Sequence, residues 1–511
     1  MMILKKIAKL LFNRVFYVIF AMAVQLGWLL TIFLRLAGYS RYMSFILDVI
    51  SILVVLKIVN RKINPSYKLA WTMLILCLPI FGLVLYLVFG RSRIAAYMQD
   101  RFNEMLMKSG NLLQTDPEIH DLLEAEDISA CNQSDYIYHN AGYPIHGNTT
   151  AEYFQVGDDM FPVLVRELEQ AQHYIFIEYF IIHDGVMWRT ILDILERKVQ
   201  EGVDVRLIYD DMGCLTTLPH KYYETMRSKG IKCQVFNPFR PILNIIQNNR
   251  DHRKFCIIDG YVGFTGGVNL ADEYINAEQR FGYWKDAALR VEGDAAWNFT
   301  VMFLNFWNAF RPSETDYDAF RPMPLVTPVS DGIVQPYADS PLDEEPMAET
   351  VYLNILAQAQ RYVYIYTPYL AVGEEMLDAL KNAAKRGVDI RLVLPGIPDK
   401  KLVFRLSRSY YLPLLRAGVR IYEYTPGFLH AKCWVSDDVT AVVGSINMDY
   451  RSLFLHFECG VLLQKNSQVA VLRDDVRATL PQCREIQVTE CRTSLPGTVL
   501  DSVLRLLSPL M

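Results

Sequence analysis

The 511-residue chain predicts an α/β protein in which one fold is used twice: two β-sheet lobes flanked by helices, related by a pseudo-twofold axis, behind N-terminal transmembrane helices. Three observations predict it. His252-Arg-Lys254-x4-Asp259 and His430-Ala-Lys432-x4-Asp437 share one pattern, and each reaches an Asn 17 residues past its His, at Asn269 and Asn447. Around them the chain repeats itself. Ala171-Gln-His-Tyr-Ile-Phe-Ile matches Ala359-Gln-Arg-Tyr-Val-Tyr-Ile, and Gly202-Val-Asp-Val-Arg-Leu matches Gly387-Val-Asp-Ile-Arg-Leu. These matches and the His pair lie 188, 185 and 178 residues apart, a duplication in step. Finally, β-branched and aromatic runs alternate with helical patterns from about residue 151 onward, the signature of an α/β layer structure.

The N-terminal region, 1–90, reads as membrane-embedded with two to three spans. Val15 to Leu34 is an uncharged run long enough to cross a bilayer, and it lacks a small-residue cleavage site after it. Tyr42 to Leu56 is shorter and contains Asp48. Leu69 to Gly90 is uncharged between Lys68 and Arg91, with Pro79 and Gly82 inside it. Basic residues lie on both sides of this last run, so charge leaves the facing of the catalytic lobes open. Residues 91–150 read as a polar connector, 151–311 as the first lobe, 312–346 (rich in Pro and Asp) as a linker, and 347–511 as the second lobe. The amphipathic end, Thr498 to Leu510, reads as a packing element.

Composition narrows the partners. A net charge of −5 and no basic cluster argue against nucleic acid. Nine scattered cysteines without a C-x-x-C pair exclude a disulfide framework and a structural zinc site. Cys256 and Cys433 read as small buried hydrophobes. Nothing in the sequence sets the oligomeric state.

On an extended strand residues i and i+2 share a face, so each His and its Lys look into one site. The Asp, at i+7, has the wrong parity. Asp259-Gly260 leads into Tyr-Val-Gly-Phe-Thr, so each motif reads as a hairpin with its Asp at the turn. Two half-sites of this kind suit one shared anion. Lys254, Lys432, Asn269 and Asn447 would bind the non-bridging oxygens of a phosphodiester, one imidazole would attack phosphorus, and the other would protonate the leaving oxygen. Ser445 offers a hydroxyl where the first copy has Gly267. No metal or cofactor is needed, and a lysine two residues from each His would repel a divalent cation.

Paired H-x-K-x4-D motifs followed by G-G/S-x-N resemble the phospholipase D superfamily. The likeness to bacterial cardiolipin synthases is closer and spans most of the chain. It includes Asn64-Pro-Ser-Tyr-Lys-Leu-Ala-Trp71, Ile177-Glu178-Tyr-Phe, Trp284-Lys-Asp286 and the terminal Leu507-Ser-Pro-Leu510. The resemblance implies a phospholipase D-type fold and a multi-pass bacterial membrane enzyme that condenses two phosphatidylglycerols into cardiolipin and glycerol. A phospholipase D-type hydrolase is the alternative. It also implies a covalent phosphohistidine, with His252 as nucleophile and His430 as acid/base. Asp259 and Asp437 count among the motif's catalytic members, and an acid downstream of each motif, Asp286 and Glu458, would orient an imidazole. One extra span, Val15 to Leu34, departs from the family pattern. His183 and His456 read as strand-end or packing residues.

Overall fold

The computed structural model describes residues 41–511 apart from 62–63, 90–92, 239–248, 311–315, 322–329, 344, 492–493 and 511, together with residues 23–24, 27–28 and 31. The expected span Val15 to Leu34 therefore lies almost wholly outside the described residues.

Helix α1 (Arg41–Val59) is followed by α2 (Pro65–Cys77) and α3 (Pro79–Phe89). No described helix is long and apolar enough to cross a membrane. The uncharged run Leu69 to Gly90, expected as one span, is two helices. Pro79 has no N–H and disfavours helical backbone at the residue before it, and Leu78 leaves the helix at φ −135°, ψ 71°. The chain then folds back on itself. A Cβ on Gly82 would stand 2.5 Å from the Leu74 carbonyl oxygen, so only glycine fits there. Arms of 13 and 11 residues reach roughly 20 and 16 Å, short of a ~30 Å hydrocarbon core. Ile58, Ile75, Leu83 and Tyr86 give this hairpin and α1 a small core of their own.

The stretch expected as a connector belongs to the main core. It forms α4 (Arg93–Ser109), α5 (Pro117–Glu126) and α6 (Ile128–Ala141), and buries Phe102, Met105, Leu113, Ile137 and Tyr143 with residues of both lobes. Met98, Phe102, Met105 and Leu106 form a helical stripe in α4 that meets this core, whereas the acids between 116 and 127 mask the apolar positions of α5.

The first lobe runs β1 (Thr149–Phe154), α7 (Gly157–Gln170), β2 (Tyr174–Tyr179), α8 (Val186–Gln200), β3 (Asp204–Asp210), α9 (Tyr222–Ser228), β4 (Lys232–Phe236), β5 (Arg250–Asp251), β6 (Lys254–Ile258), β7 (Val262–Gly266), β8 (Tyr283–Lys285), β9 (Ala288–Gly293) and α10 (Ala296–Phe310). The second begins with β10 (Ile333–Asp339) and α11 (Met347–Gln358), then β11 (Tyr362–Tyr366), β12 (Leu370–Ala371), α12 (Glu374–Lys385), β13 (Asp389–Pro395), α13 (Lys401–Ser409), α14 (Tyr411–Ala417) and β14 (Arg420–Tyr424). It closes with β15 (Gly427–Leu429), β16 (Cys433–Ser436), β17 (Thr440–Gly444), β18 (Met448–Asp449), α15 (Tyr450–Phe454), β19 (His456–Gln464), α16 (Ser467–Thr479), β20 (Cys483–Glu485) and α17 (Leu495–Leu507).

The sheets have matching orders: β1-β9-β7-β6-β2-β3-β4, and β10-β19-β17-β16-β11-β13-β14 with β20 added at the end. The α/β duplication expected from the repeat is thus present strand for strand. The linker boundary is not: β10, the counterpart of β1, lies inside 312–346. Pro336 disguised it, and an edge strand tolerates a proline. Between the sheets lies α10, almost entirely buried, with Phe306 against Phe102, Phe236 and Phe457. One core therefore spans both lobes, while the outer face of the first sheet and helices α7 and α8 enclose a second core of that lobe, with Leu164, Ile177, Trp188 and Phe264.

Candidate active site

Each motif begins where a short strand of one lobe pairs with a strand of the other. Strand β5 lies parallel to β19, with Arg250 opposite His456 and Asp251 opposite Phe457. Strand β15 lies parallel to β8, with Gly427, Phe428 and Leu429 opposite Tyr283, Trp284 and Lys285. The register carries through to the histidines. The backbone N–H of His252 donates to the Phe457 carbonyl (2.9 Å), and that of His430 to the Lys285 carbonyl (2.8 Å).

Those carbonyls belong to the residues just before Glu458 and Asp286, and the side chains follow. His252 Nδ1 pairs with Glu458 Oε1 at 2.8 Å, and His430 Nδ1 with Asp286 Oδ2 at 2.6 Å. The acids expected to orient imidazoles thus pair crosswise: each meets the histidine of the opposite lobe. With its Nδ1–H held by a carboxylate, each ring leaves Nε2 with a lone pair for chemistry. Neither catalytic half is complete without the other lobe.

Lys254 and Lys432 are buried, and each ammonium donates back to the carbonyl of its own His. Lys432 Nζ also lies 2.8 Å from His430 Nδ1. The Asp286 contact is shorter and takes the Nδ1 proton, so the lysine contact is a neighbour rather than a second bond to that proton. Burial pulls the Lys254 ammonium down to about 8 and the Lys432 ammonium to about 7. Burial, then the charges of Lys254 and Lys432, holds His252 well below the usual imidazole range. Burial and Lys432 take His430 to about 4. Glu458 is pushed up to about 7 by burial, against the pull of Lys254. The groups of both lobes thus act on one another's charge in a single desolvated site. His252, His456 and Glu458 bring ligand-type atoms within 4.8 Å of one another, but the two lysines already supply positive charge there.

The remaining expected residues divide. Asp259 and Asp437 sit at positive φ (51° and 54°) in the hairpin turns. Asp259 accepts the backbone N–H groups of Gln172, His173 and Tyr174, and Asp437 those of Gln360, Arg361 and Tyr362. Each stands five strand steps, roughly 16 Å, beyond its lysine, so the motif's aspartates fasten the hairpin and stand away from the two lysines. Ser445, expected at the phosphate, is fully buried, and its hydroxyl donates to Glu458 Oε2. It braces the acid. At the equivalent Gly267 a Cβ would come within 1.9 Å of Asp286 Oδ1, so the first copy has no room for a serine.

The two asparagines differ as well. Asn269 Oδ1 accepts the Ile181 N–H (3.1 Å), and its Nδ2 donates to the Tyr274 hydroxyl (2.8 Å). Tyr274 in turn packs edge-on against His430, 5.5 Å between centroids. Asn269 therefore supports the wall of the site. Asn447 keeps its carboxamide oxygen buried without a partner.

Some residues around the histidines escaped sequence reasoning. Phe180 meets the edge of His252 at 4.9 Å, and Trp284 lies 5.6 Å from His430. His456, read from the sequence as a strand-end or packing residue, does open β19, but its ring also lies 5.5 Å from His252, and both its nitrogens lack hydrogen-bond partners. The available signal was positional. His456 stands two residues before Glu458 as Trp284 stands two before Asp286. Beneath the site, buried Arg253 joins Glu178 (2.5 Å) and Asp251 (3.0 Å) and stacks over Phe306.

Comparison with known proteins agrees with this geometry. The family described as cardiolipin synthase, PLD-like domain, matches residues 164–282 and 352–479, and the phospholipase D-nuclease N-terminal family matches 46–91. A cardiolipin synthase of Halalkalibacterium halodurans is 32% identical over 98% of this chain and 100% of its own. An uncharacterised protein of Streptococcus mutans is 42% identical over 89% of this chain and 99% of its own. A phosphatidylserine synthase of Haemophilus influenzae shares the fold, with a TM-score of 0.54 at 13% identity over 71% of this chain and 95% of that one. With paired lobes of this family and relatives matched end to end, the chain belongs to the cardiolipin synthase family of the phospholipase D superfamily.

Proposed function

We propose that this protein is a phosphatidyltransferase that makes cardiolipin, transferring the phosphatidyl group of one phosphatidylglycerol to a second and releasing glycerol. The observation that carries the mechanism is the crossed pairing of His252 with Glu458 and of His430 with Asp286 around two buried lysines. His252 Nε2 attacks phosphorus, and the bond to the glycerol oxygen breaks as His430 gives that oxygen a proton. The phosphatidyl group now rests on His252. The second phosphatidylglycerol then loses its hydroxyl proton to His430 and attacks phosphorus, and the P–N bond breaks. Lys254 and Lys432 stabilise the charge on the non-bridging oxygens, with Asn447 beside them. His430 is neutral in the anion-free site, and the negative charge of a bound phosphodiester raises its pKa toward the protonated form that step one requires.

Residues 1–90 attach the enzyme to the cell membrane, where both substrates reside. The dry site and the absence of net basic charge favour a lipid over a nucleic acid. Labelled phosphatidylglycerol, with products separated by anion exchange, tests the reading. Cardiolipin with an equivalent of glycerol is the expected result. Phosphatidic acid as the sole lipid product would make the enzyme a phospholipase D-type hydrolase instead. Activity should survive dialysis against EDTA, and its complete loss with recovery on one divalent metal would overturn the lysine-based mechanism.

A further inference from the structure

Helix α17 is amphipathic in the reverse of the usual sense. A surface helix ordinarily turns its apolar stripe to the core and its charges to water. Here the charges are fastened to the protein: Asp501 accepts from Arg405 (2.7 Å), and Arg505 meets Glu374 (3.4 Å) and lies over the Tyr410 ring. Leu504 is the one side chain of the helix that is buried. Leu495, Val499 and Val503, four residues apart and so on one stripe, are 86%, 65% and 44% exposed, and Leu500 and Leu507 flank them in the open. The expectation that this segment serves only to pack therefore fails for most of its apolar side chains.

The stripe does not stand alone. Helix α17 and the turn after it pack against α2, which exposes Leu69, Met73 and Leu76 along one face and Leu78 at its end. Helix α1, beside α2, exposes Phe45, Ile46, Val49, Leu53 and Leu56. On the other side α17 packs against α13, where exposed Leu402 adjoins Lys401 and the helix has no acid. Scattered exposed leucines need no explanation, but an apolar surface drawn from three separate parts of the chain, with exposed Lys401 at its rim, does. The surface also reaches the site. Ser66 of α2 hydrogen-bonds the Tyr450 hydroxyl (2.8 Å), and Tyr67 packs on Tyr450 and Phe454 of α15, the helix leading directly to His456 and Glu458.

We propose that α17 is a membrane-seating helix: its apolar stripe enters the interfacial layer of an anionic phospholipid bilayer alongside α1 and α2, with the exposed ammonium of Lys401 on α13 at the head groups. The proposal rests on the lipid-transfer reading for the reason a bilayer is the occupant, since substrates with two acyl chains must reach the site from one. Seating by α17 fixes the second lobe against the bilayer independently of the N-terminal helices.

The test uses the full-length enzyme in phosphatidylglycerol vesicles. An environment-sensitive probe is placed on Val503→Cys in a background with the accessible thiols removed (Cys77→Ser, Cys483→Ser and Cys491→Ser) and quenched with lipids brominated on the acyl chain, against a Glu118→Cys control on α5. The Val503 probe should be quenched severalfold more than the control. The pair Val499→Asp and Val503→Asp should cut turnover on vesicles about tenfold while leaving turnover on monodisperse short-chain phosphatidylglycerol within about twofold. A probe that stays in water overturns the proposal, as does equal loss on both substrates. Cross-linking between copies through Val503→Cys, without quenching, would assign the stripe to a second chain. Because quenching does not depend on which product forms, it separates failure of the seating from failure of the cardiolipin reading.

Discussion

In the half of the site that holds His252, the orienting acid is a glutamate, a serine braces it, and a histidine stands two residues before it. In the half that holds His430, the acid is an aspartate, a glycine leaves it room, and a tryptophan takes the third place. The backbone is the same in both: a short parallel strand pair delivers each His beside the acid of the other lobe. Duplication therefore preserved the wiring and let the parts drift. The longer acid goes with the residue that can hydrogen-bond it, and the shorter acid with the residue that has no side chain. Two identical halves would make attack and proton transfer interchangeable; unequal ones allow each histidine its own task.

The comparison breaks most easily at the histidines. His252→Asn and His430→Asn should each lower turnover by about 10²–10⁴ or more, because an amide neither forms a phosphoramidate nor carries a proton. If one variant kept near-native turnover in the labelled phosphatidylglycerol assay, the halves would not share a reaction. The crossed acids come next. Glu458→Gln and Asp286→Asn should each cost about 10–100-fold. In nitrogen spectra of histidine-labelled enzyme, Glu458→Gln should alter the His252 imidazole and leave His430 in place, and Asp286→Asn the reverse. Effects confined to the histidine of the same lobe would undo the crossing.

That crossing marks the limit of what the residues alone could tell. The His, Lys and acid identities were legible because their types and spacing repeat, and so were the turn positions of Asp259 and Asp437, from strand parity. The partner of each acid was not, since sequence spacing within a lobe says nothing about which lobe's strand lies alongside. Ser445 looked like a ligand because hydroxyls bind phosphate, and only its contact with Glu458 shows otherwise. Asn269 looked like one too, until Ile181 and Tyr274 took its amide. At the level of the fold, the strand repeat was plain, whereas β10 hid behind Pro336 and the α2–α3 hairpin behind an unbroken apolar run. Charge-free length is a one-dimensional signal, and it does not register where Pro79 and Gly82 turn the chain.

The Gly–Ser difference can be sharpened by exchange. Gly267→Ser should lower turnover about tenfold or more, since its side chain would meet Asp286 at 1.9 Å and displace the acid from His430. Ser445→Gly should cost only about three- to tenfold, because Glu458 loses a brace but keeps His252. Kinetic constants for the two variants decide it. If the serine deletion proved the more damaging, the hydroxyl would have a role beyond holding the acid.

The smallest effect is in protons, and it compares the two lysines directly. In the anion-free site burial holds Lys432 at about 7 and Lys254 at about 8. An anion stabilises the charged ammonium and moves both upward, so its binding must draw protons from solution wherever the free site has lost them. Glu458, at about 7, is pushed the same way. Sulfate is a suitable probe because it stays a dianion throughout this range. Calorimetry in buffers of different ionisation enthalpy should show net uptake of about two protons at about pH 8, falling to the share of His430 alone at about pH 5.5, where the lysines and Glu458 are already protonated. Lys432→Arg should remove more of that uptake than Lys254→Arg, since the lysine beside His430 starts from the lower value. Proton release at about pH 8, or uptake that did not change with pH, would mean that the two ammonium groups do not face the anion together.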